Sequence, residues 1–180
     1  MYFQSYGLPG EQDSSKTASK VSGVTFTTGT ETAQYPNMRE TIYAKFHGEL
    51  VGSISCLYRW QKLVEEDDEP QASECWLSLL HVAPDFRNKG IGGDLLQKAS
   101  KKMASVGCKQ VEWCAGSFGS HPIPKAQLKA FYIQRGGINT DNDFFVYTIP
   151  EADRSSGCNQ TQQLSALIYN QLNLFSPDAG

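Results

Sequence analysis

The stretch whose residue types best suit chemistry is Arg87-Asn88-Lys89-Gly90-Ile91-Gly92-Gly93, which follows the apolar run Cys75–Val82 and opens a segment of helical spacing. The first amides of a helix have no intrahelical acceptor and sit at the positive end of the helix macrodipole. Glycines at that point let a phosphate approach the backbone, so the turn reads as a pyrophosphate cradle. Its spacing excludes two cradles. Neither the G-x-G-x-x-G of dinucleotide-binding domains nor the G-x-x-x-x-G-K-[ST] of P-loops is present. Arg87-x-x-Gly90-x-Gly92 is the pattern left.

The elements that must position this turn follow from periodicity. Val24 and Phe26 alternate with threonines, a first strand. Ile42, Ala44 and Phe46 alternate with Thr41, Tyr43 and Lys45, and His47-Gly48-Glu49 turns that strand into Leu50–Trp60, so the two form a hairpin. Cys75–Val82 is nearly all apolar, which predicts a central strand buried on both faces. Ile91, Leu95, Ala99 and Met103 recur every four residues and predict a helix over 90–106, ended by Gly107. A strand over 109–115, a helix from Pro124 toward Gly136 and a strand over 143–149 complete the series. The order predicts one α/β domain over residues 21–150, preceded by a flexible arm at 1–20. Within that arm, Tyr2-Phe3-Gln4-Ser5 reads as the remnant of a cleavable tag. Residues 151–180 read as an extension. Its stretch 160–175 carries Leu164, Leu167, Ile168 and Leu172 on one helical stripe, which packs on the domain or pairs with a second copy in a homodimer.

Composition narrows the class. Among 180 residues, 16 Lys+Arg stand against 19 Asp+Glu, a net charge of -3 without the basic footprint of a non-specific nucleic-acid binder. No apolar run approaches the ~18–20 residues that span a bilayer, and no signal-peptide core is visible, so the expectation is a cytoplasmic domain without a membrane partner. The five cysteines, Cys56, Cys75, Cys108, Cys114 and Cys158, are odd in number and form no C-x-x-C. This argues against a disulfide framework or a structural metal site and for a reducing compartment; Cys56 and Cys114 read as small core residues. The carboxylates of Glu65–Glu69 read as a solvated loop, or as a lure for a cationic acceptor.

The turn, with Val82-Ala83-Pro84-Asp85 before it, resembles the acyl-CoA-binding signature [QR]-x-x-G-x-[GA] of the GCN5-related N-acetyltransferase (GNAT) family. The hairpin Phe46-His47-Gly48-Glu49-Leu50-Val51-Gly52 is similar to that family's second and third strands. Ala130-Phe131-Tyr132-Ile133-Gln134-Arg135-Gly136 is similar to its later helix, with a Tyr four residues before a Gly. The resemblance spans residues 21–150. It implies a mixed, mostly antiparallel central sheet with flanking helices, here with reduced N-terminal helices because about a dozen residues separate the first two strands.

By the same resemblance, the backbone from Arg87 through Asn88, Lys89, Gly90, Ile91 and Gly92 to Gly93 binds the CoA pyrophosphate. Leu80, His81 and Val82 pair their backbone with pantetheine. A main-chain amide polarises the thioester carbonyl, and Tyr132 protonates the leaving thiolate. Lys125 stands where the family often has an Asn seven residues before the Tyr, and it joins the cofactor-binding set. Gly137 replaces a frequent aromatic. The family's glutamate base aligns with Trp76, which cannot accept a proton. Glu74, two residues earlier, is the named base; His81, Glu112 or a water chain are the alternatives. The implied reaction is direct attack of an amine on acetyl-CoA in a ternary complex, with no metal and no cysteine nucleophile. The acceptor is a small molecule or a protein lysine or N-terminus. A catalytically silent CoA-binding sensor is the competing reading, and a cradle for another nucleotide is a remote third.

Overall fold

The turn His47-Gly48 sets the first long pairing. Its φ angles are 50° and 88°, both left-handed as in a type I′ turn, whose twist matches antiparallel strands. It joins β2 (Asn37–Phe46) to β3 (Glu49–Trp60), with Ile42 opposite Ile54 and Ala44 opposite Gly52. The computed structural model describes residues 21–31, 37–60, 72–116, 121–141 and 143–151. The expected N-terminal arm, the acidic loop Glu65–Glu69 and the helix expected over 160–175 lie outside the described residues.

The remaining elements are β1 (Val24–Glu31), β4 (Ala72–Val82), α1 (Ile91–Ser105), β5 (Gln110–Cys114), α2 (Lys125–Ile133), β6 (Ile138–Asp141) and β7 (Phe144–Thr148). Seven strands form one sheet in the order β1-β2-β3-β4-β5-β7-β6. All neighbours are antiparallel except β4 and β5. That parallel pair requires a crossover, and α1 supplies it. The mixed, mostly antiparallel sheet is the one expected. β1 ends at Glu31 and pairs directly with β2, which starts at Asn37, so no pair of helices fits between them.

The core lies between one face of the sheet and α1. Ile42, Ala44, Ile54, Cys56 and Leu77 are buried with Leu95, Ala99 and Met103 in one cluster. Gly52 lets α1 close on the sheet: a Cβ there would meet the His81 carbonyl oxygen at 3.0 Å and Leu95 Cδ1 at 3.1 Å. A buried polar knot fixes the far end of the helix. Glu40 Oε2 accepts from Tyr58 Oη at 3.1 Å and ion-pairs with Lys102 Nζ at 3.1 Å. Burial and the Glu40 charge raise both neighbouring acids, the Tyr58 phenol and the Cys56 thiol, the latter to about 12. Both therefore stay neutral around the buried carboxylate.

Three expectations are corrected, and one strand is new. β4 is not buried on both faces, since Trp76 is 40% and Leu79 63% exposed; only one face of the sheet carries the described helices. Cys75 and Cys108 form a disulfide, despite the odd count. It ties β4 to the connection between α1 and β5, where Ala72 N–H also donates to Val106 O at 3.1 Å. Cys114 is exposed, whereas Cys56 is buried as anticipated. β6 was not anticipated because Ile138-Asn139-Thr140-Asp141 has no alternation and every residue is exposed, as an edge strand allows. No helix among the described residues is long and apolar enough to cross a membrane.

The disulfide closes a loop of sequence separation 33. Removing it with Cys75→Ser is expected to cost about 2–4 kcal/mol. Thermal unfolding with and without reductant checks this: reductant should lower the wild-type Tm and leave the variant's unchanged.

Candidate active site

β4 departs from regular pairing on both edges beside the glycine turn. Toward β3, Ser53 pairs with His81 but Ser55 pairs with Ser78, so β4 carries one extra residue, a β-bulge. Within the bulge Leu79 has a φ of 52°, a left-handed conformation that a leucine keeps only where its surroundings impose it. Toward β5, the only paired position among the described residues is Trp76 with Glu112. Past that pair a small cleft opens, lined by Ser78, Leu79, Leu80, Cys114 and Tyr132 among others. A strand edge that has lost its neighbour offers backbone donors and acceptors to a ligand.

The glycine turn adjoins this opening. Ala83 N–H donates to Val51 O at 2.9 Å and holds the chain against β3 as it leaves β4. The Arg87 side chain then staples the turn, donating from Nε to Val82 O at 3.1 Å and from Nη1 to His121 O at 2.9 Å. Asn88 and Gly90 take φ of 59° and 90°, the left-handed residues of a backbone nest. Gly90 O accepts from Gly93 N and Asp94 N at 2.9 and 3.1 Å, which starts α1. The amides of Ile91 and Gly92, ahead of that bond, have no carbonyl one turn earlier to bind. The turn borders a cleft of about 710 Å³ that lies between it and α2. Leu80 and Leu128 line both this cleft and the small one, so the two adjoin.

The sequence-derived residues divide accordingly. Leu80, Val82, Arg87, Asn88, Gly90, Gly92 and Gly93 all line the large cleft. Ile91 is fully buried and anchors the turn in the core. Lys89 lies with its ammonium 5.1 Å from the Phe86 ring centroid. His81 is exposed and pairs with Ser53 through the strand. Lys125 stands apart: its ammonium pairs with Asp143, which Lys129 also pairs at 3.0 Å. Hydrogen bonds from those two lysines hold the Asp143 carboxyl below its usual range. Glu74 lies on the same face as Trp76, with Oε2 4.0 Å from Arg59 Nη1. Glu112 Oε2 accepts from Trp76 Nε1 at 3.3 Å.

Tyr132 lines the small cleft from α2, against Trp113 and Phe145 at centroid distances of 5.4 and 5.5 Å. Burial, with a smaller contribution from Cys114, pushes its phenol from 10.0 up to about 12. It is therefore a fully protonated donor at neutral pH. Among the cleft residues without a role in the sequence reading, one carries a charge. Arg135 lines the wall opposite the turn, its guanidinium 5.4 Å from the Phe131 ring. It lies so close over Gly93 that a Cβ there would come within 2.4 Å of Nη1. The i, i+4 spacing of Phe131 and Arg135 was the available signal.

The profile of the acetyltransferase (GNAT) family matches residues 15–122. No curated protein matches the sequence. Among solved structures, a GNAT-family acetyltransferase of Staphylococcus aureus Mu50 is 20% identical and aligns over 62% of this chain and 68% of its own, with a TM-score of 0.42. A GNAT-family acetyltransferase of Elizabethkingia anophelis with acetyl-CoA bound is 16% identical over 68% and 97%, with a TM-score of 0.47. Arabidopsis thaliana Naa50, in complex with the bisubstrate analogue CoA-Ac-MVNAL, is 20% identical over 59% and 69%, with a TM-score of 0.43.

The Tyr132 environment makes a pH prediction. A folded-state pKa raised from 10.0 to about 12 adds no penalty below the unfolded value, and stability is lost as pH rises through that window. Wild type should therefore lose stability relative to Tyr132→Phe between those two values in alkaline unfolding. Parallel curves would remove the buried-phenol assignment. At the turn, Gly90→Ala forces a Cβ into a φ of 90° and should destabilise the fold by about 1–2 kcal/mol. Calorimetry with inorganic pyrophosphate should show weakened binding in the same variant.

Proposed function

Because the chain belongs to the acetyltransferase (GNAT) family, we propose that it is an active acyl-CoA-dependent N-acyltransferase that moves acetyl from acetyl-CoA to a primary amine in a ternary complex. The observation that carries this reading is the junction of two features. The glycine turn lines a cleft that adjoins the opening between β4 and β5, the two sharing Leu80 and Leu128, and Tyr132 lines that opening.

In this mechanism, amides of the turn between Arg87 and Gly93 hold the pyrophosphate, aided by the Arg135 guanidinium across the cleft. The β4 backbone at Leu80, His81 and Val82 pairs with the pantetheine arm as a missing strand would. A main-chain amide of the bulge polarises the thioester carbonyl and stabilises the oxyanion that forms when the amine attacks. The C–N bond forms, the C–S bond breaks, and the sulfur leaves with its electron pair. Tyr132 meets that developing thiolate with its O–H. At about 12 its acidity is weaker than that of a thiol, ~8.5, so its main contribution is a hydrogen bond in the transition state, with little net proton transfer.

The amine proton goes to a carboxylate. Glu74 and Glu112 flank Trp76 on one face of the sheet. Glu112 stands at the point where the strands part, and Glu74 lies about 7 Å further down β4. Glu112 is thus the nearer of the two. Both carboxylates already have partners in the structure, Arg59 and Trp76. That observation favours the second reading, a CoA-binding module without turnover.

Thiol release from acetyl-CoA across a panel of amines, with mass spectrometry of the product, tests the proposal. Tyr132→Phe should lower kcat by about 10²-fold or more while acetyl-CoA affinity changes little. Glu112→Gln should lower kcat more than Glu74→Gln. Acetyl-CoA binding without product for any amine would favour the silent module, and absence of acyl-CoA binding would overturn both readings.

A further inference from the structure

Tyr132 is the only buried residue of α2, and it packs on Trp113 of β5 and Phe145 of β7. Of those two rings, only Trp113 also lines the small cleft with Tyr132. The Trp113 indole lies almost parallel to the Phe145 ring, with 6° between their planes, and at 47° to the Tyr132 ring. Both Trp113 and Phe145 are buried, so the indole is fixed in a close-packed interior. Trp113 directly follows Glu112, the position where β4 and β5 last pair. One rigid side chain therefore connects the fork of the sheet to the helix that carries Tyr132.

Two observations separate Trp113 from an ordinary core aromatic. Its Nε1 is buried and has no hydrogen-bond partner among the described residues. A buried donor without an acceptor weakens a fold, and a phenylalanine would avoid that cost. What the indole adds is reach. Its Cζ2 edge lies against the turn that ends α2, where a Cβ on Gly137 would come within 2.9 Å of Cζ2 and 3.0 Å of Tyr132 O. Gly137 is not among the glycines with a left-handed φ, so the need for room, and not backbone geometry, accounts for it. Tyr132 O also accepts from Gly137 N at 3.0 Å, which ties the backbone of Tyr132 to that same turn.

We propose that Trp113 is a positioning residue: wedged between β5 and the end of α2, it sets how far Tyr132 stands from the point where β4 and β5 part, and so brings the Tyr132 hydroxyl to the leaving sulfur of the acyl donor. The proposal rests on the acyltransferase reading of the cleft. Trp113 acts through Tyr132 and carries no proton itself, since an indole N–H is a donor only. A smaller ring at 113 lets the end of α2 settle toward β5 and carries the hydroxyl with it. Hydrogen bonds weaken steeply with misalignment, and a displacement of about 1 Å can cost ~10²-fold in rate.

The thiol of bound CoA reads this without turnover. A hydrogen bond from Tyr132 to the thiolate lowers the thiol pKa below its ordinary ~8.5. Alkylation of protein-bound CoA against pH, counted on the CoA by mass spectrometry, gives that value. Tyr132→Phe should raise it, Trp113→Phe should raise it as far, and the double variant should add nothing further. In thiol release, Trp113→Phe should lower kcat by about tenfold or more and leave the KM for acetyl-CoA within about twofold. A thiol pKa and kcat unchanged in Trp113→Phe would overturn the proposal. So would an equal loss from Trp113→Phe with and without Tyr132→Phe, because Trp113 would then act independently of Tyr132. Should Trp113→Phe fail to fold, Gly137→Ala presses on the same contact from the other side and carries the same expectations. Wild type that binds CoA but yields no product overturns the acyltransferase reading alone, and the thiol titration still decides whether Trp113 positions Tyr132.

Discussion

The separation of β4 from β5 is the constraint on which the site depends. Two parallel strands with a single paired position, Trp76 with Glu112, leave the rest of one strand edge without its usual hydrogen-bond partners. That edge is open to solvent or to a ligand. The bulge at Leu79 and the left-handed residues of the turn point the same way, since each spends backbone freedom on a local shape that packing alone does not need. The glycine turn, the cleft and Tyr132 are arranged around that one gap.

A gap in a sheet survives only if the elements beside it are held firmly. Near the turn, Ala83 hydrogen-bonds to Val51, Arg87 spans from Val82 to His121, and Ile91 is sunk in the core. At the other end of α1, the Glu40–Tyr58–Lys102 knot and the Cys75–Cys108 bond fasten helix and strands together. The two fastenings differ in kind. The covalent bond acts largely by restricting the unfolded chain, whereas the polar knot acts in the native state, where loss of one partner strands a buried charge.

Much of this was legible beforehand. Alternation gave β1, β2 and β3, the four-residue recurrence of Ile91, Leu95, Ala99 and Met103 gave α1, and the His47-Gly48 turn marked the hairpin, because each signal is local and periodic. β6 was not legible, since an exposed edge strand has no hydrophobic alternation to display. The exposed face of β4 was missed for the opposite reason: an apolar run looks the same whether or not a helix covers it. Lys125 was assigned by alignment alone; its ammonium pairs with Asp143, which no local pattern announces. Arg135 was overlooked because its approach to Gly93 joins two helices distant in sequence.

The sequence by itself suggested a backbone anion cradle, because such a cradle needs glycines at specific steps and those steps are written in order along the chain. It also determined the family and the mixed sheet. Only the tertiary structure decided which cysteines meet, how far the Tyr132 phenol is shielded from water, and which carboxylate stands nearest the gap. Those are properties of distance and burial, which arise when strands remote in sequence are brought side by side. Glu112 reaches Trp76 only because a whole helix returns the chain from β4 to β5.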